Sequence, residues 1–328
     1  MKGWPIPGGV RACLDTLRRT GHAAYPVGGC VRDLLLGRTP GDFDVCTDAR
    51  PERVMELFPH TVPTGLRHGT VTVRTEDGPV EVTTFRREGG YADGRHPDAV
   101  DFDATLAEDL ARRDFTVNAM ALRVPDLEFV DPFGGASDLA KGVLRTPVDP
   151  SQSFDDDPLR MMRAVRFVAQ LGFSIAPDAA EAISSMRDRI EIVSAERVRD
   201  ELTKMLLSDR PRAGLEALVE SGLADIVFPE IPALQLQIDE HHRHKDVFEH
   251  TMIVLERAIA LETGPDGPVP APDLTLRLAA VMHDIGKPKT RRFEPGGKVS
   301  FHHHDAVGAK MTRKRLKALR FDHHLLED

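Results

Sequence analysis

Cysteine is scarce in this 328-residue chain. Cys13, Cys30 and Cys46 are an odd number without a CxxC pair, which argues against both a disulfide framework and a cysteine zinc site and leaves them as buried apolar residues. Long apolar runs are missing as well, so no segment reads as a membrane span. The opening MKGWPIPGGVRACLDTLRRTG lacks the apolar core of a secretory signal, and the expected location is the cytoplasm. Excess positive charge is also absent. The formal net charge of −9 argues against indiscriminate binding to polyanions, so any nucleic-acid contact must come from local basic surface. Candidate patches are Arg160, Arg163 and Arg166, then Arg187, Arg189, Arg197 and Arg199, and finally KMTRKRLKALR near the end. On composition alone each reads equally as a solvated helix face. There is no internal repeat or low-complexity tract, and the length predicts two or three domains.

The first half of the chain mixes strands and helices. Residues 10–20 read as a helix, HAAYPVGG as a strand that breaks at a glycine pair, and VRDLLLG as the helix that follows. DFDVCT is a second strand, PERVMELFP a helix, and GTVTVRT with PVEVTTFR form two alternating strands around the turn EDGP. The stretch from Arg86 to Asp98, rich in glycine and charge, suits a mobile loop, and FTVNAMALRV returns to strand or buried-helix character. From Asp157 onward the pattern is helical almost throughout, with ETGPDGPVPAPD as a linker between a helix carrying His250 and one carrying His283 and Asp284. The expected fold class is α+β: a small mixed-sheet head over residues 1–147, a helical region over 148–240, and a further helical region over 241–328.

Asp42 and Asp44 lie two apart in a segment read as strand, so both carboxylates project from one face of the sheet. Two acids so placed ionise together only if cations neutralise them, and hard oxygen ligands of this kind suit Mg²⁺. With two metals, one activates an attacking hydroxyl and the other steadies a triphosphate leaving group. A DxD alone is also compatible with a solvated loop. Gly28 and Gly29 stand at a strand-to-helix junction where backbone amides can approach a phosphate, with Arg32 and Asp33 directly after; plain turn chemistry is the competing reading. Glu81 in PVEVTTFR is a candidate third carboxylate, or else an exposed strand glutamate.

GGCVRDLLLG, DFDV, EVTTFR, RRDFTVNAMA, DPFGG, DDPLRMMRAVRF and RVRDEL occur in this order. Together they resemble the bacterial class II CCA-adding tRNA nucleotidyltransferases, over nearly all of Tyr25 to about Leu206. That resemblance implies a polymerase-beta-type head followed by helical neck and body domains. It assigns the metal aspartates to Asp42 and Asp44 and the triphosphate-binding turn to Gly28, Gly29 and Arg32. It assigns ribose and triphosphate contact to Arg112, Arg113, Asp114 and Asn118, and a place near the incoming nucleotide to Arg163. The family's base-selecting E-D-x-x-R falls on Asp156, Asp157, Pro158, Leu159 and Arg160, with aspartate for the first glutamate. Three-residue spacing puts Asp157 and Arg160 on neighbouring positions of a helix face, where an intrahelical ion pair is the ordinary reading. As selectors, Asp157 accepts from an exocyclic amine and Arg160 donates to a ring nitrogen or carbonyl. Cytosine and adenine offer that amine, whereas uracil and guanine present a carbonyl there. The loop from Arg86 to Asp98 corresponds to the family's flexible loop.

His250, His283 and Asp284 fit the start of an H…HD…D constellation for one or two divalent ions, and HDIGKP resembles the HD-type accessory domain of some members. His244 and Asp246 precede it, and His302, His303 and His304 follow as candidate exposed loop residues. No secure candidate for the final aspartate precedes Asp328. The family's tail domains usually extend further, so that aspartate either lies beyond Asp328 or has been lost.

The implied reaction is stepwise addition of C, C and A from CTP and ATP to the 3′ end of tRNA. Its rivals are a bacterial poly(A) polymerase, a CC-only or A-only tRNA nucleotidyltransferase, an HD-type metal phosphohydrolase and a noncatalytic RNA-binding protein. Asp157, Arg160 and the long loop favour CCA addition over poly(A) synthesis. The intact DFD and RRDFTVNA motifs count against the last two.

Overall fold

The computed structural model describes residues 4–89, 99–124, 128–235, 246–263, 269–295 and 299–327. Two compact units emerge. One is Met1–Asp157 with Ile175–Ala179, and the other is Pro158–Ser174 with Ala180–Asp328.

The first unit is built on strands β1 (Ala24–Val27), β2 (Asp44–Thr47), β3 (Thr61–Gly65), β4 (Thr70–Thr75), β5 (Gly78–Thr84), β6 (Arg87–Gly89), β7 (Ala99–Asp101), β8 (Ala121–Arg123) and β9 (Glu128–Val130). Seven of these form one sheet in the order β3-β4-β5-β2-β1-β8-β9. Only the β2–β5 pair is parallel, so the sheet is mixed. Period-two alternation sets its faces: Val71 and Val73 of β4 and Val80 and Val82 of β5 are buried. Its helices are α1 (Gly8–Arg19), α2 (Gly29–Leu35), α3 (Pro51–Leu57), α4 (Leu106–Ala111), α5 (Gly135–Lys141) and α6 (Pro150–Asp156). Helix α1 buries Val10, Cys13, Leu14 and Leu17, an i, i+3, i+4, i+7 stripe. Helix α4 starts in a capping box, Thr105 accepting from the Glu108 amide while Glu108 accepts from that of Thr105. All three cysteines are buried.

Strand β3 was not among the expected elements; TVPTG carries no apolar alternation and is held by pairing with β4. Of the glycine-rich stretch at 86–98, residues 90–98 lie outside the described residues. Its two ends, β6 and β7, pair antiparallel.

The second unit is helical: α7 (Leu159–Leu171), α8 (Pro177–Met186, first turn in the first unit), α9 (Ala195–Leu206), α10 (Pro211–Glu220), α11 (Ala224–Val227), α12 (Val247–Leu261), α13 (Leu274–Met282), α14 (Lys287–Thr290), α15 (His304–Ala318) and α16 (His323–Glu327). Gly214 lets α10 lie close on its neighbours, since a Cβ there would stand 2.6 Å from Met205 Cγ and 2.9 Å from Ala169 Cβ. Arg277 ties α13 to the end of α9. Its guanidinium donates to the Leu206 and Ser208 carbonyls at 2.6 and 2.7 Å and to both carboxylate oxygens of Glu262 at 2.7 and 2.6 Å. With Arg277 and Glu262 side chains 5% and 3% exposed, truncating one strands a charge and two carbonyls. Arg277→Ala is expected to lower the stability of this unit by about 3 kcal/mol or more, read from urea unfolding; a loss within about 0.5 kcal/mol would contradict this account.

Candidate active site

Strand register, more than any single motif, assembles the site. Asp44 opens β2 and pairs with Glu81 on one side and with Val27 on the other. Val27 in turn pairs with Ala121. One row across four strands therefore joins the DFD motif, the EVTTFR strand, the residue before the glycine pair and the strand that follows RRDFTVNAM. Asp42 precedes β2 rather than lying within it, contrary to the reading of DFDVCT as all strand. The alternation nonetheless holds, with Phe43 buried, Asp42 exposed and Asp44 half-buried. Val27 and Ala121 of this row also belong to an apolar cluster with Cys46, Phe85, Leu110 and Ala119.

Burial pushes the Asp44 carboxyl up to about 6; Arg113 opposes the rise, while Asp42 and Glu81 add to it. Two further acids thus act on Asp44 where β2 begins, a situation that a bound cation relieves. Their carboxylates do not close into a tight ligand set by themselves. Among the described residues, the group whose ligand atoms all lie within 4.8 Å of one another is His250, His283 and Asp284.

Arg113 is the counter-charge, and a buried acid fixes it. Asp109 is fully buried, accepts from Arg112 at 3.0 and 2.8 Å through Oδ1 and from Arg113 at 3.3 Å through Oδ2. Burial alone would raise the Asp109 carboxyl, but the two guanidiniums outweigh it and hold it below its ordinary value. Gly28 leaves room for the result. Its φ of 80° with ψ of −133° suits glycine, and a Cβ there would meet Arg113 Nη1 at 2.9 Å. Its amide donates to the Met120 carbonyl at 3.1 Å, locking the turn to the neighbouring motif. Asp109 was missed from the sequence, although an acid three and four residues before RR on a helix is a legible pattern.

Arg32 is held from the other side. Its Nη1 donates to Asn118 Oδ1 at 2.7 Å and its Nε to Asp33 at 2.8 Å. Asn118 Nδ2 donates to Asp114 Oδ1 at 2.9 Å, and that oxygen also accepts the Phe115 amide at 2.8 Å. Asp114 and Asn118 are buried, so they serve as a bracket for Arg32, with Gly29 beside its guanidinium. Arg112, expected at the substrate, has Asp109 as its partner.

Asp157 and Arg160 do not share a helix face. Asp157 is extended, with φ of −142° and ψ of 98°, and closes α6, whereas Arg160 lies in the first turn of α7. Pro158 is the cause: it disfavours helical geometry in the residue before it and starts the next helix. Each unit therefore holds one of the two expected selectors, Asp157 ending the first and buried Arg160 near the start of the second. Arg163 is half-buried, its guanidinium 5.8 Å from the Phe167 ring centroid.

In the second unit Asp284 is surrounded by cationic and imidazole groups. His283 Nε2 lies 3.1 Å and His250 Nε2 3.7 Å from its Oδ2, and Lys287 Nζ 2.9 Å from the same oxygen. Although burial opposes it, His283 and Lys287 bring this carboxyl down to about 2. Burial would lower the His283 imidazole, yet Asp284 holds it above its ordinary value. His304, expected in an exposed loop with His302 and His303, opens α15 with Nε2 3.6 Å from Asp284 Oδ1. Only an N–H faces a carbonyl, so His283 Nδ1, 2.8 Å from the Ala280 oxygen, and His304 Nδ1, 2.9 Å from that of Phe301, carry hydrogen. When these rings are neutral, both turn Nε2 lone pairs towards the acid, the arrangement of metal-binding histidines. His244 lies outside the described residues, and Asp246 caps α12 through the Phe248 amide.

Comparison with known proteins matches three family profiles: "Poly A polymerase head domain" over 24–145, "Probable RNA and SrmB- binding site of polymerase A" over 172–234, and "HD domain" over 247–328. The CCA-adding enzyme of Anoxybacillus flavithermus is 45% identical over 227 residues, 69% of this chain and 56% of that protein. That of Bacillus subtilis is 45% identical over 219 residues, 67% and 54% respectively. The chain thus spans about half the length of the curated relatives it matches. Among solved structures, the Bacillus stearothermophilus CCA-adding enzyme in complex with CTP is 30% identical with a TM-score of 0.62, covering 94% of this chain and 82% of that one. The Thermotoga maritima CCA-adding enzyme complexed with tRNA_CCA shares the fold, with a TM-score of 0.67 at 23% identity, covering 98% and 69%. No helix among the described residues is long and apolar enough to cross a membrane.

Because burial raises the folded Asp44 carboxyl to about 6, above its ordinary value of about 4, the folded state holds that proton more tightly than the unfolded chain. The resulting destabilisation is absent below about pH 4, develops between about 4 and 6 and is complete above. Asp44→Asn should therefore stabilise the metal-free protein at neutral pH, by up to about 3 kcal/mol, with no gain at pH 4. Denaturant melts in EDTA across this range check it; an Asn variant less stable than the parent at pH 7.5 would contradict it.

Proposed function

The chain belongs to the CCA-adding enzyme family, and from this membership we propose that it adds C, C and A from CTP and ATP to the 3′ end of tRNA, releasing pyrophosphate. The observation that carries the proposal is the strand row that sets Asp44 beside Glu81 and beside the end of β1, with Arg113 and Arg32 braced around the glycine turn.

In the proposed reaction the 3′-hydroxyl oxygen of tRNA attacks the α-phosphorus of the nucleotide in line, and the bond to the β,γ-pyrophosphate breaks. The donor set fits a hard divalent cation: three acids gathered where β2 begins, with Asp44 raised by burial and further by the other two. Bound at Asp42 and Asp44, with Glu81 beside them, Mg²⁺ would supply activation of the hydroxyl and neutralisation of the triphosphate. Arg113 and Arg32 bind and orient the triphosphate through side chains already fixed by Asp109 and by Asn118, so little ordering remains to be done on binding. Asp157 and Arg160 read the base edge, accepting from the exocyclic amine and donating to the ring acceptor beside it, and Arg163 stands next to them. We assign residues 1–147 to the head, 148–240 to neck and body, and 241–328 to an HD-like domain, and place the protein in the cytoplasm.

Asp42→Ala and Asp44→Ala should each lower CMP incorporation into a tRNA transcript lacking CCA by on the order of 10³-fold or more. Turnover within tenfold of the parent would sink the assignment. Asp157→Ala should erode discrimination against UTP and GTP by roughly tenfold or more, because the carboxylate no longer penalises a facing carbonyl; unchanged selectivity would refute its reading role.

A second reading concerns His250, His283 and Asp284, whose Nε2 and carboxylate oxygens suit a transition-metal ion better than Mg²⁺. We propose that they hold one divalent ion. Titration with Co²⁺ in the presence of excess Mg²⁺ should give visible d–d absorption in the parent and lose it in His283→Ala. Equal absorption in both would contradict this.

A further inference from the structure

The basic sequence near the end of the described chain is unused by the chemistry above. From Ala306 to Phe321 there is no acidic residue, while Lys310, Arg313, Lys314, Arg315, Lys317 and Arg320 supply six cations in a chain of net charge −9. Arg315 is committed to the fold, its Nε donating to Glu230 at 2.8 Å. Lys310, Arg313, Lys314 and Lys317 are exposed and have no acidic partner among the described residues.

Their spacing is i, i+3, i+4, i+7 on α15, so the four cations share one stripe about 10 Å long. The stripe faces away from the side that buries Gly308 and Leu316. The helix is pinned at its far end as well, where Leu319 is buried and Arg199 Nη1 donates to the Arg320 carbonyl at 2.5 Å. Its cations are thus presented on a fixed rod. A membrane-surface helix would need an apolar face open to the bilayer, and that face of α15 is spent on packing.

We infer that this stripe of α15 binds the phosphate backbone of the tRNA, an electrostatic grip that reads shape rather than sequence. The inference rests on the tRNA reading above. Point charges at one-turn intervals suit a strand of phosphates, and a net-acidic protein that must hold a polyanion concentrates its cations where the polyanion lies.

The test is tRNA binding by the full chain and by the fourfold variant Lys310→Gln, Arg313→Gln, Lys314→Gln, Lys317→Gln, measured by fluorescence anisotropy from 50 to 300 mM KCl. All four positions are exposed, so the variant should keep the parent's melting temperature and circular dichroism. Each phosphate contact contributes about 0.7–0.9 to the slope of log K against log salt, so the slope should fall by about 3 and affinity at 150 mM by roughly tenfold or more. A variant with the parent's slope overturns the inference and leaves the tRNA reading standing. No binding of tRNA by either protein overturns both. Loss of binding to phosphatidylserine vesicles with an unchanged tRNA slope overturns it in favour of a membrane surface. Should the fourfold variant fail to fold, Lys314→Glu alone is expected to weaken binding and lower the slope by about 1, and an unchanged slope there overturns the inference equally.

Discussion

A half-buried carboxylate, Asp44, stands at the start of a central strand with Asp42 and Glu81 beside it, and the charged groups of the head unit are arranged around it. Asp44 and Glu81 are neighbours because β2 and β5 run parallel in that register, and Asp42 joins them through the alternation of the chain. Burial, with a smaller contribution from those two neighbours, raises the Asp44 carboxyl. Arg113 offsets part of the rise, and Arg113 stays there because Asp109, fully buried, grips it from behind. Gly28 completes the arrangement by having no side chain where the guanidinium passes. Each element contributes to a cluster in which fixed guanidiniums stand close to carboxylates.

How much of this was legible in the sequence depends on the distance over which each feature is encoded. The aspartate pair, the glycine turn and the helical second half follow from local periodicity and turn chemistry, and the mixed sheet followed from the strands those patterns gave. The register that sets Asp44 against Glu81 is non-local: nothing within either segment states which residue of β5 faces which of β2. For the same reason β3 went unread, since its five residues lack an apolar alternation and depend on pairing with β4. Asp157 and Arg160 show the opposite failure. A local rule, three-residue helical spacing, was applied across Pro158, although proline before a helix argues for an extended residue at 157. Three consecutive histidines carry no periodicity, so nothing local marks His304, and its place beside Asp284 emerges only with α15 in position.

The second unit solves a related problem with different means. Two of its buried ion pairs, Arg277 with Glu262 and Arg166 with Glu201 at 2.6 Å, specify how helices meet without remaining available for chemistry. Asp284 differs in that imidazoles and Lys287 gather around it at distances suited to exchange for an ion. The basic stripe of α15 lies on the face that packing leaves over. Scaffold, ion-type site and charged surface are thus separate uses of one set of residue types, distinguished by burial and by partner.

The most direct measurement is nucleotide incorporation by the purified chain with Mg²⁺, supplied with a tRNA transcript lacking CCA, a CC-ended transcript and an unstructured RNA, each with CTP, ATP or both. The account predicts C, C and then A on the first transcript, a single A on the second and no extension of the third. Long runs of A on any RNA, or no incorporation on any of them, would contradict it.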